Sequence, residues 1–146
     1  MTNQHSAQWQ QTRTAIEQQP FMKLLGIAVD DLGEGWLQTS LQIEDKHRQH
    51  DGLVHGGVLA TLADLSCTMA AHTQLLETQR VVTVEIKINF LRAVQDGRVR
   101  CRGEVLRKGR TLIVSEGKLY AQRNGEEVLV GVALATIAVL ADNKGS

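Results

Sequence analysis

The spacing of hydrophobic residues in the second half of the chain predicts a series of β-strands. Apolar and polar residues alternate with period two from Val81 to Leu91, which is typical of a strand with one buried face. Similar patterns predict three further strands, at Arg98 to Leu106, Thr111 to Arg123 and Val128 to Leu140. Short glycine-containing sequences separate these strands and predict hairpin turns: Asp96-Gly97, Lys108 to Arg110 and Asn124 to Glu126.

The first half of the chain has a more mixed pattern. Residues Ser6 to Gln19 are polar and rich in glutamine, and they predict a peripheral helix that Pro20 ends. A short apolar segment follows from Phe21 to Val29. A strand is then predicted from Trp36 to Ile43, and the polar, histidine-rich residues Glu44 to Asp51 predict a loop.

The stretch from Gly56 to His72 predicts one long and largely buried helix. It contains almost no β-branched run, and apolar residues cover most of its circumference: Val58, Leu59, Leu62, Ala63, Leu65, Met69 and Ala70. One very apolar helix among hairpin-linked strands indicates an α+β domain whose antiparallel sheet wraps around the helix. We expect residues 21–146 to form this domain and residues 1–20 to lie at its periphery.

A stripe of small and polar residues runs along one side of this helix. Its members are spaced alternately by four and three positions, so they share a face; they are Gly57, Thr61, Asp64, Thr68 and Ala71. A carboxylate on a buried helix is costly unless it is paired or used in chemistry. The pattern alone leaves two interpretations of Asp64 open. It is either a structural residue, paired with a neighbour or placed at the rim, or a reactive group.

The start of the helix favours the reactive reading. Gly56 and Gly57 stand at the first turn, where unpaired backbone N–H groups and the positive end of the helix dipole lie. Because glycine has no side chain, a carbonyl oxygen can approach such an N–H group closely. The arrangement suits an oxyanion or a polarised carbonyl. Asp64 lies two turns further along, so both groups can address one substrate only if a second subunit closes the cleft.

Several motifs together resemble a known family. His55-Gly56-Gly57 is followed after six residues by Asp64 and preceded by Gln49 and Gly52, and the strand Val82 to Ala93 reads VTVEIKINFLRA. With the KGR turn beyond it, this arrangement resembles the hotdog-fold acyl-CoA thioesterases of the phenylacetate-degradation (PaaI-like) type. The likeness spans roughly Phe21 to Leu140. It implies a hotdog fold, an antiparallel sheet around one long central helix, and hydrolysis of acyl-CoA to free acid and CoA.

The resemblance also implies catalytic roles. Asp64 would act as general base on water or as nucleophile, and the Gly56 N–H would polarise the thioester carbonyl. Gln49 matches a loop position that contacts the same region, and Thr83 matches a position whose hydroxyl helps to hold the water. His55 is expected to complete this set, mainly by orienting the loop and the helix start through hydrogen bonds.

Substrate contacts follow from the same resemblance. The stretches Phe90 to Ala93 and Arg107 to Leu112 match segments that contact the nucleotide part of CoA. The predicted substrate-binding residues are Gly57, Thr68, Phe90, Arg92, Lys108, Gly109 and Arg110, with the three basic side chains as phosphate partners. Gln49 is similar to the aromatic-acyl branch of the family and Asp64 to the phenylacetate branch, so the acyl group stays open between small or medium and aromatic.

Other chemistries find less support in the sequence. The spacing of His47 and His50 in a polar loop predicts a solvated turn rather than a metal site, and there is no HExxH motif. Cys67 is predicted to be buried, and no G-x-S-x-G is present, which disfavours cysteine and serine nucleophiles. The basic residues Arg98, Arg100, Arg102, Arg107, Lys108 and Arg110 indicate either a solvated sheet face or a patch for CoA phosphates.

Two alternative functions keep the fold: an acyl-CoA hydratase or dehydratase, and a non-catalytic acyl-CoA-binding regulator. The family's hydratases space their acid and histidine differently, and a pure binder gains nothing from a buried carboxylate.

Balanced charge, with 16 basic and 16 acidic residues among 146, argues against a nucleic acid or membrane partner. We expect a cytoplasmic enzyme, since the N-terminus has no signal-peptide pattern. Thioester hydrolysis by a carboxylate needs no metal or cofactor, and none is expected. The open strand Val81 to Leu91 predicts a homodimer, and the resemblance implies a dimer of dimers.

Overall fold

The computed structural model describes residues 3–141. The elements, in chain order, are helix α1 (Asn3–Glu17), helix α2 (Pro20–Leu25), strands β1 (Ile27–Gly33) and β2 (Trp36–Gln42), a 3₁₀ turn (Asp45–His47), helix α3 (Gly56–His72), and strands β3 (Gln79–Phe90), β4 (Arg98–Lys108), β5 (Leu112–Arg123) and β6 (Glu126–Ala141). The six strands form one antiparallel sheet in the order β1-β2-β4-β5-β6-β3. The predicted α+β class is therefore confirmed.

Helix α3 lies across the inner face of the sheet and touches all six strands. Its approach to the centre of the sheet depends on Gly103 in β4. A Cβ atom at that position would lie 2.2 Å from the carbonyl oxygen of Ser66 on α3, so any side chain would push the helix away. The core forms at this contact, around Leu37, Leu62 and Leu119, which are fully buried.

Three expectations from the sequence were wrong: two missed elements, the role of Pro20, and one hairpin turn. The short apolar segment from Phe21 to Val29 contains helix α2 and the first residues of strand β1, and neither element was predicted. Pro20 does not end α1, which stops at Glu17; it begins α2, where a missing N–H costs nothing in the first turn. Asp96-Gly97 is not a hairpin turn, because the strands that it joins, β3 and β4, are separated in the sheet by β5 and β6.

The other two predicted turns are hairpins. Residues 108–110 join β4 to β5, and Asn124-Gly125 joins β5 to β6 with positive φ angles of 52° and 78°. Such angles are those of the turns that match the natural twist of paired strands.

Among residues 3–141 no helix combines the length and apolar character needed to cross a bilayer.

Candidate active site

Asp64 lies on α3 where the helix faces strand β3. The Thr83 hydroxyl of β3 donates a hydrogen bond of 2.7 Å to Asp64 Oδ1. The Thr68 hydroxyl, one helical turn from Asp64, lies 2.8 Å from the Thr83 oxygen and 3.3 Å from the same Oδ1. Because each hydroxyl has one proton, the short distances describe a chain in which Thr68 donates to Thr83 and Thr83 donates to Asp64.

This chain orients the carboxylate. Both contacts fall on Oδ1, and within residues 3–141 no hydrogen bond reaches Oδ2. Asp64 is only partly buried, so its carboxylate is accessible from outside the core. The sequence reasoning assigned Thr68 to substrate binding and Thr83 to a water, and it missed their contact with Asp64. Their hydroxyls leave Oδ2 as the oxygen available for a reaction.

The start of α3 forms a second polar centre. His55 is the N-cap residue, and its ring Nδ1 accepts a hydrogen bond of 2.9 Å from the Gly57 N–H. The His55 carbonyl accepts from Val58, and no partner for the Gly56 N–H occurs within the described part of the chain. Gly56 therefore presents a free donor at the positive end of the helix dipole.

A cleft of about 300 Å³ opens beside this donor. Its walls include Gln49, Phe90 and Arg92, three of the predicted site residues. The Phe90 ring lies so close that a Cβ atom added to Gly56 would be 3.2 Å from it. A side chain at position 56 would therefore require the Phe90 ring to shift by a few tenths of an ångström, and glycine avoids this crowding.

Asp64 and Gly56 do not meet within one chain. Eight residues separate them, which is about 12 Å along a helix that rises 1.5 Å per residue. A single thioester carbonyl cannot lie within hydrogen-bond distance of both. The folded chain therefore carries two separate half-sites, one with the carboxylate and one with the donor.

The predicted phosphate partners are also divided between the two ends of α3. Arg92 borders the cleft at the helix start, whereas Lys108 donates to the carbonyl of Gln74, just beyond the helix end. Helix α3 has 17 residues, so these groups are roughly 25 Å apart. Gly109 shapes the turn by donating to Leu112, and the Arg110 side chain is exposed.

Three of the four arginines of β4 have partners on the outer face of the sheet, and Arg107 is exposed. Arg98 pairs with Asp30 at 2.8 Å, and Arg100 pairs with Glu127. Arg102 pairs with Glu104 and stacks on Trp36, with its guanidinium carbon 4.2 Å from the ring centre. These paired arginines fit the reading of a solvated sheet face and leave Arg92, Lys108 and Arg110 as the phosphate candidates.

The histidine loop differs from its predicted form. His47 is fully buried, not solvated: its Nδ1 accepts from the Glu44 N–H at 2.9 Å, and its Nε2 lies 2.8 Å from the carbonyl oxygen of Leu25. The ring thus ties the loop to the end of α2. No three His, Cys, Asp or Glu side chains among residues 3–141 lie close enough together to hold a metal ion.

The two cysteines, Cys67 on α3 and Cys101 on β4, are buried between the helix and the sheet. Burial raises the pKa of the Cys101 thiol to about 12. Burial is also the main reason that the pKa of the Cys67 thiol is raised well above its ordinary value. Both side chains are therefore neutral thiols at physiological pH, and neither is a nucleophile. Cys67 packs in the core, as its sequence context predicted.

Known proteins share this fold and part of this sequence. A sequence model of the Thioesterase superfamily matches residues 51–128, which include both half-sites. The chain belongs to the Thioesterase superfamily. A thioesterase family protein from Silicibacter pomeroyi is 35% identical, with a TM-score of 0.86 over 90% of this chain and 97% of that one.

Two further known proteins are similar to this chain. The proofreading thioesterase EntH of Cronobacter sakazakii is 36% identical over 86 residues, which are 59% of this chain and 63% of EntH. The PaaI protein of Escherichia coli, from the phenylacetic acid degradation operon, has a TM-score of 0.82 over 94% of this chain and 96% of its own, and at 21% identity it supports the fold alone. The hotdog fold and thioester hydrolysis, both expected from the sequence, are confirmed.

Proposed function

We propose that this thioesterase hydrolyses acyl-CoA thioesters in active sites shared between two copies of the chain. The observation that carries the proposal is the separation of Asp64 from the free N–H of Gly56 by about 12 Å on one helix. Each half-site supplies what the other lacks. Small or medium and aromatic acyl groups both fit the resemblance noted in the sequence.

The chemistry assigned to the shared site uses Oδ2 of Asp64. As general base, it removes a proton from water while the water oxygen adds to the thioester carbonyl carbon. The negative charge that develops on the carbonyl oxygen is stabilised by the Gly56 N–H of the partner subunit. The intermediate then expels the CoA thiolate, which takes up the proton. In the nucleophilic variant, Oδ2 attacks the carbonyl carbon itself, the carbon–sulfur bond breaks to release the CoA thiolate, and water then hydrolyses the resulting anhydride to the free acid and the Asp64 carboxylate.

Strand β3 supplies the surface for the pairing of two chains. It is an edge strand, and Val82, Val84 and Phe90 are between 45% and 62% exposed. An edge of this length with apolar side chains favours pairing with a copy of itself. A twofold axis makes such an interface self-complementary.

The half-sites define the register of this pairing. Thr83 contacts Asp64 and Phe90 lies over Gly56, so a twofold axis that brings the two half-sites together crosses β3 midway, near residues 86 and 87. The same axis runs the two α3 helices antiparallel. Arg92 of one chain then approaches the end of α3 where Lys108 and Arg110 of the other chain lie.

Subunit complementation tests the shared site. Asp64→Ala and Gly56→Pro each inactivate one half-site, and proline removes the N–H at a first-turn position that tolerates it. Equal amounts are mixed, dissociated and reassociated. Hybrid dimers make up half of the population and carry one intact site each, so activity should recover toward one quarter of wild type. No recovery despite hybrids detected by mass spectrometry would place the whole site in one chain; Asp64→Ala mixed with Asp64→Asn is the negative control.

Disulfide trapping tests the register. A cysteine at Lys87, beside the proposed axis, should cross-link to its own copy on oxidation, because directly opposed residues have Cβ atoms about 4.5–5.5 Å apart. A cysteine at Gln79, at the far end of β3, should remain unlinked. Cross-linking at position 79 in place of position 87 would require a different register.

Rates of free-thiol release over a panel of aliphatic and aromatic acyl-CoAs test the substrate class. A hydratase would act on the double bond and release no thiol, and a binding protein would show no turnover. We also propose a cytoplasmic location and the pairing of dimers into tetramers, as the family resemblance implies. Native mass spectrometry distinguishes the tetramer from the dimer.

A further inference from the structure

A groove of about 460 Å³ lies between α1, the end of α3 and the start of β3. Its floor is apolar and contains Ile16, which is 3% exposed, together with Met69 and Val81. Its rim is polar and comes mostly from α1. The full lining is Gln11, Thr12, Ala15, Ile16, Gln19, Met69, His72, Arg80 and Val81.

The groove continues the face of the molecule that carries Asp64. Thr68 and His72 follow Asp64 at intervals of four, so the three side chains lie above one another on α3. On β3, Val81 and Thr83 are two positions apart and point to the same side of the strand. The groove therefore begins one helical turn beyond the Thr68–Thr83 hydroxyl pair.

Distance defines which acyl groups reach the groove. His72 is eight residues from Asp64, about 12 Å along the helix. A fully extended covalent chain advances roughly 3.5 Å for every three bonds, so about ten bonds cover that distance. A benzoyl-sized group ends well short of it, whereas a straight chain of about ten carbons reaches the apolar floor.

The charge of the lining suits an uncharged chain. None of the nine lining residues is acidic. Partial burial lowers the pKa of His72, so its ring is neutral at neutral pH. Arg80, whose side chain is exposed, is the one remaining cation of the lining.

We propose that this groove binds the terminal carbons of a straight-chain acyl group of about ten carbons, with α1 as its outer wall. The inference rests on the acyl-CoA hydrolysis proposed above and names the substrate class of that site. The N-terminal helix then has a specificity role that its polar sequence did not indicate.

Two neighbouring glutamines of α1 provide a matched test. Gln10 and Gln11 are both exposed, but only Gln11 lines the groove. We compare wild type, Gln11→Trp and Gln10→Trp on acetyl-, butyryl-, octanoyl-, decanoyl- and benzoyl-CoA. Each buried methylene contributes on the order of 0.8 kcal/mol, so wild-type kcat/KM should rise at least about tenfold from butyryl to decanoyl.

Tryptophan at position 11 should fill the groove. We expect Gln11→Trp to lose about tenfold in kcat/KM on decanoyl-CoA, to stay within about twofold of wild type on butyryl-CoA, and Gln10→Trp to match wild type on both. Ala15→Phe blocks the groove from the next turn and serves if Gln11→Trp does not fold. Equal losses on butyryl- and decanoyl-CoA, or equal effects of the two tryptophans, would overturn the proposal.

The same panel separates this inference from the function on which it rests. Hydrolysis of butyryl- and benzoyl-CoA with no preference for octanoyl- or decanoyl-CoA would reject the groove and leave acyl-CoA hydrolysis standing. No thiol release from any acyl-CoA, by a protein that is folded by circular dichroism, would reject both.

Discussion

The two half-sites on α3 are built in opposite ways. At Asp64, a chain of side-chain hydroxyls from two elements holds one carboxylate oxygen and leaves the other open. At Gly56, no side chain takes part; the donor is a backbone N–H, made accessible by the absence of a Cβ atom. The first centre is orientated by tertiary contacts, and the second is a property of the helix terminus. A carboxylate side chain needs neighbouring groups to orient it, whereas the direction of the N–H groups at a helix start follows from the helix geometry itself.

The largest expected effect comes from removing the charge at the carboxylate half-site. Asp64→Asn is nearly isosteric and should lower kcat by roughly 10²–10⁴ with little change in KM, the usual scale for a positioned acid–base group. Steady-state kinetics on the best acyl-CoA measures it. Asp31→Asn, remote from α3, should behave as wild type. Near-normal turnover by Asp64→Asn would show that the carboxylate assignment is wrong.

The glycine half-site should be sensitive to the N–H itself. Gly56→Pro removes the donor and should lower kcat by roughly 10²–10³, the usual cost of one oxyanion donor. Gly56→Ala keeps the donor but places a Cβ atom 3.2 Å from the Phe90 ring, so it controls for crowding. Kinetics on both variants should give a much smaller loss for alanine. Equal losses would mean that Gly56 matters for packing alone.

A smaller effect is expected from loosening the carboxylate. Thr83→Val removes the donor to Asp64 Oδ1 while keeping the shape of the side chain, and kcat should fall about tenfold, since hydrogen bonds to charged groups are worth roughly 1.5–3 kcal/mol. Thr61→Val is the matched control, because Thr61 bonds only the Gly57 carbonyl. If both variants lose the same activity, the hydroxyl chain has no positioning role.

An effect of similar size, but on KM, concerns the basic residues at the two ends of α3. Arg92→Ala and Arg110→Ala should each raise KM for acyl-CoA by about tenfold and spare kcat, since phosphate contacts bind ground and transition states alike. A short thioester without the nucleotide should not respond to either change. Arg98→Ala, which removes an ion pair on the outer face, is the control. Damage on both substrates would make the two arginines structural.

Local sequence patterns were sufficient for much of the fold. Helix α3 occupies Gly56–His72, the range expected from its composition, and β2 and β4 to β6 fall within a few residues of the predicted strands. Periodicity and turn residues act over short distances, so one sequence reveals them. Strand β1 was missed because its burial pattern is interrupted at Asp30 and Asp31, where its pairing with β2 has a bulge.

The sequence by itself indicated most of the elements and the two candidate reactive groups. Glycines at a helix start and a carboxylate on an apolar helix both reduce stability unless they have a function, and this makes them recognisable in the sequence. The tertiary structure alone decided what surrounds them. The Thr68–Thr83 contact joins residues 15 positions apart, and His47 is buried by the end of α2, 22 residues away. The strand order places β5 and β6 between β3 and β4, although Asp96-Gly97 predicted a hairpin there. Such contacts depend on the path of the whole chain, which local periodicity does not contain.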